Sequence, residues 1–455
     1  MQTEGTNFTK GAIAGPLFRF ALPVLLALLL QTAYGAVDLM VVGQFAAAGD
    51  TSAVSTGSQV MQTITVTITG LAMGLTILLG QKIGQGSARE AGRVMGAGIW
   101  LFLVIGVIVT VTATLGARPL SVVMHAPPEA LEQTVSYVAI CSAGTVFIVA
   151  YNLIGSIFRG IGDAKLPLIT VGIACVINIA GDLLLVAVFG LGAVGAAIAT
   201  VAAQAVSSLL SLLIIHRRTL PFEFTKKDVR PDSRWVKAIF RLGVPCALQD
   251  LLASISFLVI LAIVNGLGVI ASAGVGVAER LCGFLMLVPS AYMQSMSAFV
   301  AQNIGAAEFV RARKALFIGV GTAVVVGIAM FVLAYFDGIA LTRIFVSDNE
   351  VALAGADYLK AYAIDCLLTC FLFCYIGYFN GCGSTTFVMI QGLIGALALR
   401  LPLSWLFSRI EPVSLFRIGL AIPIATVVQI TLCFVYYAVL RRRQDRLAVQ
   451  TAELA

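Results

Sequence analysis

Long apolar runs, separated by short polar breaks, organise this chain. Twelve are discernible, at 16–42, 52–80, 94–116, 131–157, 166–190, 192–215, 237–265, 270–301, 315–336, 355–380, 386–407 and 415–440. Each matches or exceeds the roughly 20 residues that a helix needs to cross a hydrocarbon core. The pattern predicts an all-α membrane protein with twelve transmembrane helices. The longest charged connector, His216 to Trp235, falls between the sixth and seventh runs. It divides the chain into a six-helix lobe at 1–216, a linker at 217–236, a second six-helix lobe at 237–440 and a basic tail at 441–455.

The halves echo each other. Leu22-Pro23 recurs as Val244-Pro245, and Gln81-Lys82-Ile83-Gly84 as Gln302-Asn303-Ile304-Gly305. Arg159-Gly160-Ile161-Gly162 returns as Asn380-Gly381-Cys382-Gly383, and Ile198-Ala199-Thr200-Val201 reappears unchanged as Ile424-Ala425-Thr426-Val427. The four matches keep their order at near-constant offset. An even number of helices per repeat makes both repeats enter from the same side. Their symmetry axis then runs along the membrane normal, the arrangement of two pseudo-symmetric lobes with a central cavity found in transporters.

Composition agrees with a lipid solvent: 60% of residues are apolar and 11% charged, against about 45–50% and 25% in soluble domains. The formal charge of +7 reads as topology, with no nucleic-acid partner expected. With the N-terminus inside, 22 Lys and Arg fall on cytoplasmic segments and four (Arg118, Arg343, Arg409, Arg417) on outer loops. That bias places both termini in the cytoplasm. The polar start, Met1 to Lys10, lacks a cleavage site and reads as a retained cytoplasmic segment. Two histidines, His125 and His216, are too distant to build a metal site, and the nine cysteines sit inside apolar runs. With no catalytic cluster, neither an enzyme nor a cofactor is expected.

Carboxylates inside spans are the informative exceptions: Asp38, Asp182, Asp250, Glu279 and Asp365. Each costs about 2.5–3.5 kcal/mol at mid-membrane on insertion scales, so each is a functional candidate. Asp38 lies 19 residues beyond Arg19, roughly 28 Å along a helix, and Asp182 lies 17 beyond Lys165, roughly 25 Å. Both reach the outer half of one lobe, where Thr200 arrives from the opposite direction. Tyr34 and Asn178 stand one turn from Asp38 and Asp182 on the same faces. Carboxylate, amide, hydroxyl and phenol oxygens at one level suit a hard cation such as Na⁺, or a proton shared between carboxylates. Glu279 and Asp365, with Arg280 and Lys360 nearby, fit either an ion-pair network or a second ion site. Asp250 is a candidate to face the cavity, and Met286, Met293 and Met296 are candidates to line it.

Several motifs resemble those of the MATE (multidrug and toxic compound extrusion) transporters. Arg159-Gly-Ile-Gly-Asp-Ala-Lys-Leu-Pro167 is similar to their loop after the fourth helix. Gly192-Ala-Val-Gly-Ala-Ala-Ile-Ala-Thr200, followed by Gln204, is similar to their sixth helix, and Gln302-Asn-Ile-Gly-Ala306 to the close of their eighth. The resemblance implies a cell-membrane antiporter that exports cationic or amphiphilic drugs in exchange for Na⁺ or H⁺, and hence contributes to antibiotic resistance. It implies a cation site at Asp38, Asn178, Asp182 and Thr200, with Tyr34 and Tyr137 nearby and a bending proline at Pro23. The places where the NorM-like branch carries acids in helices seven and ten hold Ala253 and Thr369, so the chain resembles the DinF-like branch more closely. The expected partners are small molecules and membrane lipid, with the protein acting as a monomer. The alternative is a lipid or lipid-linked oligosaccharide flippase of the same superfamily.

Overall fold

The computed structural model describes residues 8–217 and 220–453. Every regular element among them is helical. Eleven helices are long and apolar enough to cross a membrane, and a bent pair supplies a twelfth when counted as one span. In chain order they are α1 (Ala14–Phe45), α2 (Ala48–Gly84), α3 (Ala88–Leu115), α4 (Pro128–Ala143 with Thr145–Ile161), α5 (Lys165–Val188) and α6 (Gly192–Ile215), then α7 (Ser233–Asn265), α8 (Val269–Gly305), α9 (Phe309–Phe336), α10 (Asn349–Gly381), α11 (Thr385–Ser408) and α12 (Leu415–Arg446). The pair in α4 meets at 47° across Gly144, just after Ser142, the kind of small-residue pair at which helices kink.

Several helices outrun their apolar cores. α10 begins six residues before the predicted start because Asp348 caps it, accepting from the amides of Glu350 and Val351 at 2.8 and 3.2 Å. The repeat is visible in backbone geometry. α4 and α10 are each followed within two residues by a glycine of positive φ, Gly162 at 90° and Gly383 at 79°, a conformation that a residue without Cβ adopts at least cost. Gly86 and Ala307, also 221 positions apart, both take left-handed φ after α2 and α8, at 68° and 58°. At the second, the repeat has placed an alanine where glycine belongs.

The chain packs into two compact units. The first holds residues 22–247. The second holds 8–21 and 248 onward. Helices α1 and α7 are therefore each shared: the start of α1 packs in the second unit and the start of α7 in the first. The changeovers fall beside Pro23 and Pro245, the repeat-related prolines inside α1 and α7, each of which removes one intrahelical hydrogen bond.

Within the first unit the connector after α6 is a packed element. Phe222 and Trp235 are buried in the cluster of α2, α3 and α4 side chains, with Leu220 and Phe224 against it. Gly92 and Gly96, one turn apart on α3, leave room for its backbone: a methyl group at either would overlap the carbonyl of Glu223 or Asp228. Asp228 fastens the segment. Its carboxylate accepts from the Thr225 amide at 2.9 Å and hydroxyl at 2.7 Å, and pairs with Arg89 at 3.3 Å. Burial pushes its carboxyl upward, but these partners and Arg230 outweigh that and hold it below the usual carboxylate range. A lowered native pKa means that this anchor is present at neutral pH and is lost as pH falls through that value.

The second unit grips the chain start in a similar way. Arg311 of α9 donates from Nε to the Phe8 carbonyl at 2.8 Å, from Nη1 to Gly11 at 2.6 Å, and from Nη2 to Lys10 and Ala12, both at 3.1 Å. The Phe8 ring, fully buried, packs between Phe20 and Phe299 at 5.3 and 4.9 Å.

Two outcomes follow. Arg311→Ala is expected to speed tryptic cleavage at Lys10 at least tenfold in limited proteolysis, and an unchanged rate contradicts the clamp. Ala307→Gly is expected to raise stability by about 1 kcal/mol by removing a left-handed alanine, read as a higher melting temperature in detergent.

Candidate cation site in the first unit

Close packing of α5 on α6 makes the site. A methyl group on Gly181 would lie 2.9 Å from the Ala199 methyl, so the two backbones run nearly in contact, as small residues permit between membrane helices. That brings Asn178 and Asp182 of α5 beside Thr200 of α6. Asn178 Nδ2 donates to Thr200 Oγ1 at 3.4 Å. Directly after Asp182 the helix widens into a π-helical turn over Leu183–Val188, a distortion common at functional sites. From α1, Asp38 approaches Asp182, so that the two carboxyl groups interact. One turn along, Tyr34 accepts a hydrogen bond from Gln204 Nε2 at 3.3 Å.

All six residues thus belong to one cluster. It is buried: Asp182 is 0% exposed, Asn178 1% and Asp38 5%. It is also rich in acceptors and short of donors. Asp38 Oδ1, Asn178 Oδ1, both carboxylate oxygens of Asp182 and Gln204 Oε1 are buried without a hydrogen-bond partner. Buried oxygens of this kind normally find one. Adjoining negative charges in such a place repel, and a proton or a hard cation between them relieves the repulsion while satisfying the orphan lone pairs. The donor set, two carboxylates with amide and hydroxyl oxygens, fits either.

Sequence reasoning missed two neighbours. Gln31 and Tyr151 join Tyr34, Val171, Ala174 and Gln204 around a narrow cleft beside the cluster. Gln31 was within reach, being three residues before Tyr34 and seven before Asp38 on one helical face. Tyr151 had no such signal, since nothing in α4 fixes which face meets α1. Tyr137 lies under Gly57, whose missing side chain its ring occupies. It is a buried wall of the unit near Asp38.

The remaining candidates lie in the second unit. Asp250 follows Gln249, whose side chain packs on Gly392. Met286 packs against the cluster containing Cys282, Tyr358 and Tyr362. The backbone at Met293 abuts Gly377, and Met296 is fully buried against Gly319. Glu279 and Asp365 find partners other than the basic residues near them in sequence. Glu279 accepts from the Tyr358 hydroxyl at 3.1 Å, and Asp365 from Thr369 at 2.8 Å and from Thr426. The cation at their level is Arg400, with its guanidinium 4.6 Å from the Phe257 ring centre. Thr426, the repeat counterpart of Thr200, therefore serves a carboxylate on α10.

Comparisons with known proteins bear on the whole chain. The MatE family model matches twice, over residues 23–184 and 245–406, one match per repeat and each starting at a shared-helix proline. The probable multidrug resistance protein YoeA of Bacillus subtilis is 24% identical over 445 residues, covering 94% of each chain. The multidrug export protein MepA of Staphylococcus saprophyticus is 25% identical over 403 residues, covering 85% of this chain and 86% of its own. Among solved structures, an outward-facing multidrug resistance MATE transporter superposes with a TM-score of 0.91 at 22% identity, covering 98% of this chain and 99% of that one. A MATE protein in a bent conformation gives 0.91 at 22%, covering 99% and 100%.

The packing argument is testable by reciprocal substitution. Gly181→Ala alone is expected to destabilise the protein by about 1–3 kcal/mol through overpacking. Adding Ala199→Gly is expected to restore most of the loss. Additive losses in thermal unfolding of the double variant contradict direct contact.

Proposed function

Because this chain belongs to the MatE family of multidrug efflux transporters, we propose that it exports cationic and amphiphilic small molecules in exchange for Na⁺ or H⁺. The observation that carries the proposal is the cluster of donor-less oxygens around Asp38 and Asp182. In this reading an ion from outside enters the cluster, neutralises the carboxylates and weakens their hold on a cationic substrate. Ion and drug compete for one negative charge, so neither needs to touch the other. Asn178 and Thr200 complete the ion's shell, and Gln204 and Tyr34 link the cluster to the adjoining cleft.

Energetics set a condition on stoichiometry. Each net inward charge gains about 2.3 kcal/mol per 100 mV, so one net charge supports a gradient of roughly fifty-fold. A monovalent drug exchanged for a single monovalent ion moves no net charge and draws only on the ion gradient. Two ions per drug, one for each carboxylate, let the membrane potential contribute.

Further parts of the proposal rest on sequence. The excess of Lys and Arg on one set of loops supports cytoplasmic termini in the cell membrane. The position of Pro23 at the changeover in α1 supports a bend there as the step that couples ion entry to alternating access. Coupling through the first unit is the feature shared with the DinF-like branch, and a monomer suffices for it. A lipid or lipid-linked oligosaccharide flippase is the weaker alternative, since the relatives named above are multidrug resistance and export proteins.

Dye efflux from proteoliposomes under separately imposed Na⁺ and pH gradients tests the proposal. Asp38→Asn and Asp182→Asn are each expected to lower gradient-driven efflux at least tenfold at unchanged protein content. Wild-type efflux in both variants contradicts it.

A further inference from the structure

A cavity of the first unit plays no part in the ion site. It measures about 680 Å³ and opens between α3, α4, the end of α6 and the connector. Its walls are apolar, with Phe102, Leu153 and Leu212 from the helices and Phe222 and Phe224 from the connector. One charged side chain, Lys226, stands at its rim. Lys226 is exposed, as are Lys227 and Arg230 nearby, with Glu223 the acidic neighbour on the same segment.

Its dimensions identify an occupant. The lining runs from Met95 to Leu103 on α3 and from Val146 to Ile157 on α4, about 12 and 16 Å along the helices. One leaflet of the hydrocarbon core is about 15 Å deep, half of the roughly 30 Å total. A slot of that length along two spanning helices matches one leaflet, and it ends at the charged connector. An ammonium on a flexible stem at that level suits a phosphate, and basic residues next to a membrane favour anionic lipid. The roof is built in place, since Gly92 and Gly96 let the connector backbone lie on α3 and Asp228 ties it there.

We propose that this slot is a binding site for one anionic phospholipid of the adjoining leaflet, with an acyl chain between α3, α4 and α6 and its phosphate on Lys226. The bound lipid braces the connector against the first unit. The site is independent of which ion drives transport.

Native mass spectrometry of the purified full chain, after delipidation and titration with phosphatidylglycerol or phosphatidylcholine of the same acyl chains, tests it. Wild type is expected to retain one phosphatidylglycerol with at least fivefold preference over phosphatidylcholine, and to gain thermal stability from it. Lys226→Glu is expected to bring the two lipids to parity. Ala150→Trp, which fills the slot, is expected to abolish retention of both, and if that variant does not fold, Lys226→Glu decides alone. Equal retention of the two lipids by wild type, an unchanged preference in Lys226→Glu, or displacement of the lipid by a cationic dye that is itself an export substrate overturns the proposal.

Discussion

Two carboxyl groups that adjoin in a buried helix bundle, with three of their four oxygens buried and without a hydrogen-bond partner, constrain everything around them. Asp38 and Asp182 sit where charge is expensive, and neither has an arginine or lysine partner. Buried carboxylates without a donor are costly, and in the function proposed here a mobile ion offsets that cost. The rest of the first unit serves this arrangement. Gly181 against Ala199 sets the separation of α5 and α6, the widened turn follows immediately after Asp182, and the Tyr34–Gln204 bond ties α1 to α6 one turn away. The second unit handles buried acids differently. There Glu279 and Asp365 have hydroxyl donors and Arg400 near at hand. The repeats share a backbone plan, down to paired left-handed residues at the helix ends, while their polar chemistry has diverged.

The apolar runs made the helices legible, and their lengths left little alternative to spanning a bilayer. Depth arithmetic from the flanking basic residues brought Asp38, Asp182 and Thr200 to one level, because rise per residue in a helix is nearly constant. Helical periodicity set Tyr34 one turn from Asp38 and Asn178 one turn from Asp182. What stayed hidden depends on tertiary contact. Nothing in the local pattern of α4 shows that Tyr151 lines the cleft, or in α11 that Arg400 lies near the acids of α8 and α10. The sharing of α1 and α7 between units is equally invisible, since both helices are continuous through the changeover.

The connector shows what composition leaves unsaid. Its charges mark it as a linker between halves. Its aromatic residues Phe222, Phe224 and Trp235 pack into the first unit, and the α3 glycines that admit it look, in sequence, like ordinary small residues of a membrane helix. A segment so anchored restricts the start of α7, which it leads into. Any movement at Pro245 therefore begins from a fixed end, as movement at Pro23 begins from residues 8–13 held by Arg311.

The central claim is that a proton or cation resides between Asp38 and Asp182, and infrared difference spectroscopy of the reconstituted protein tests it most directly. The account predicts a carboxyl C=O band from a buried protonated acid that vanishes on raising the pH or on adding Na⁺, and that is missing from both Asp38→Asn and Asp182→Asn. Spectra of the two variants that match wild type at every pH and Na⁺ concentration contradict it.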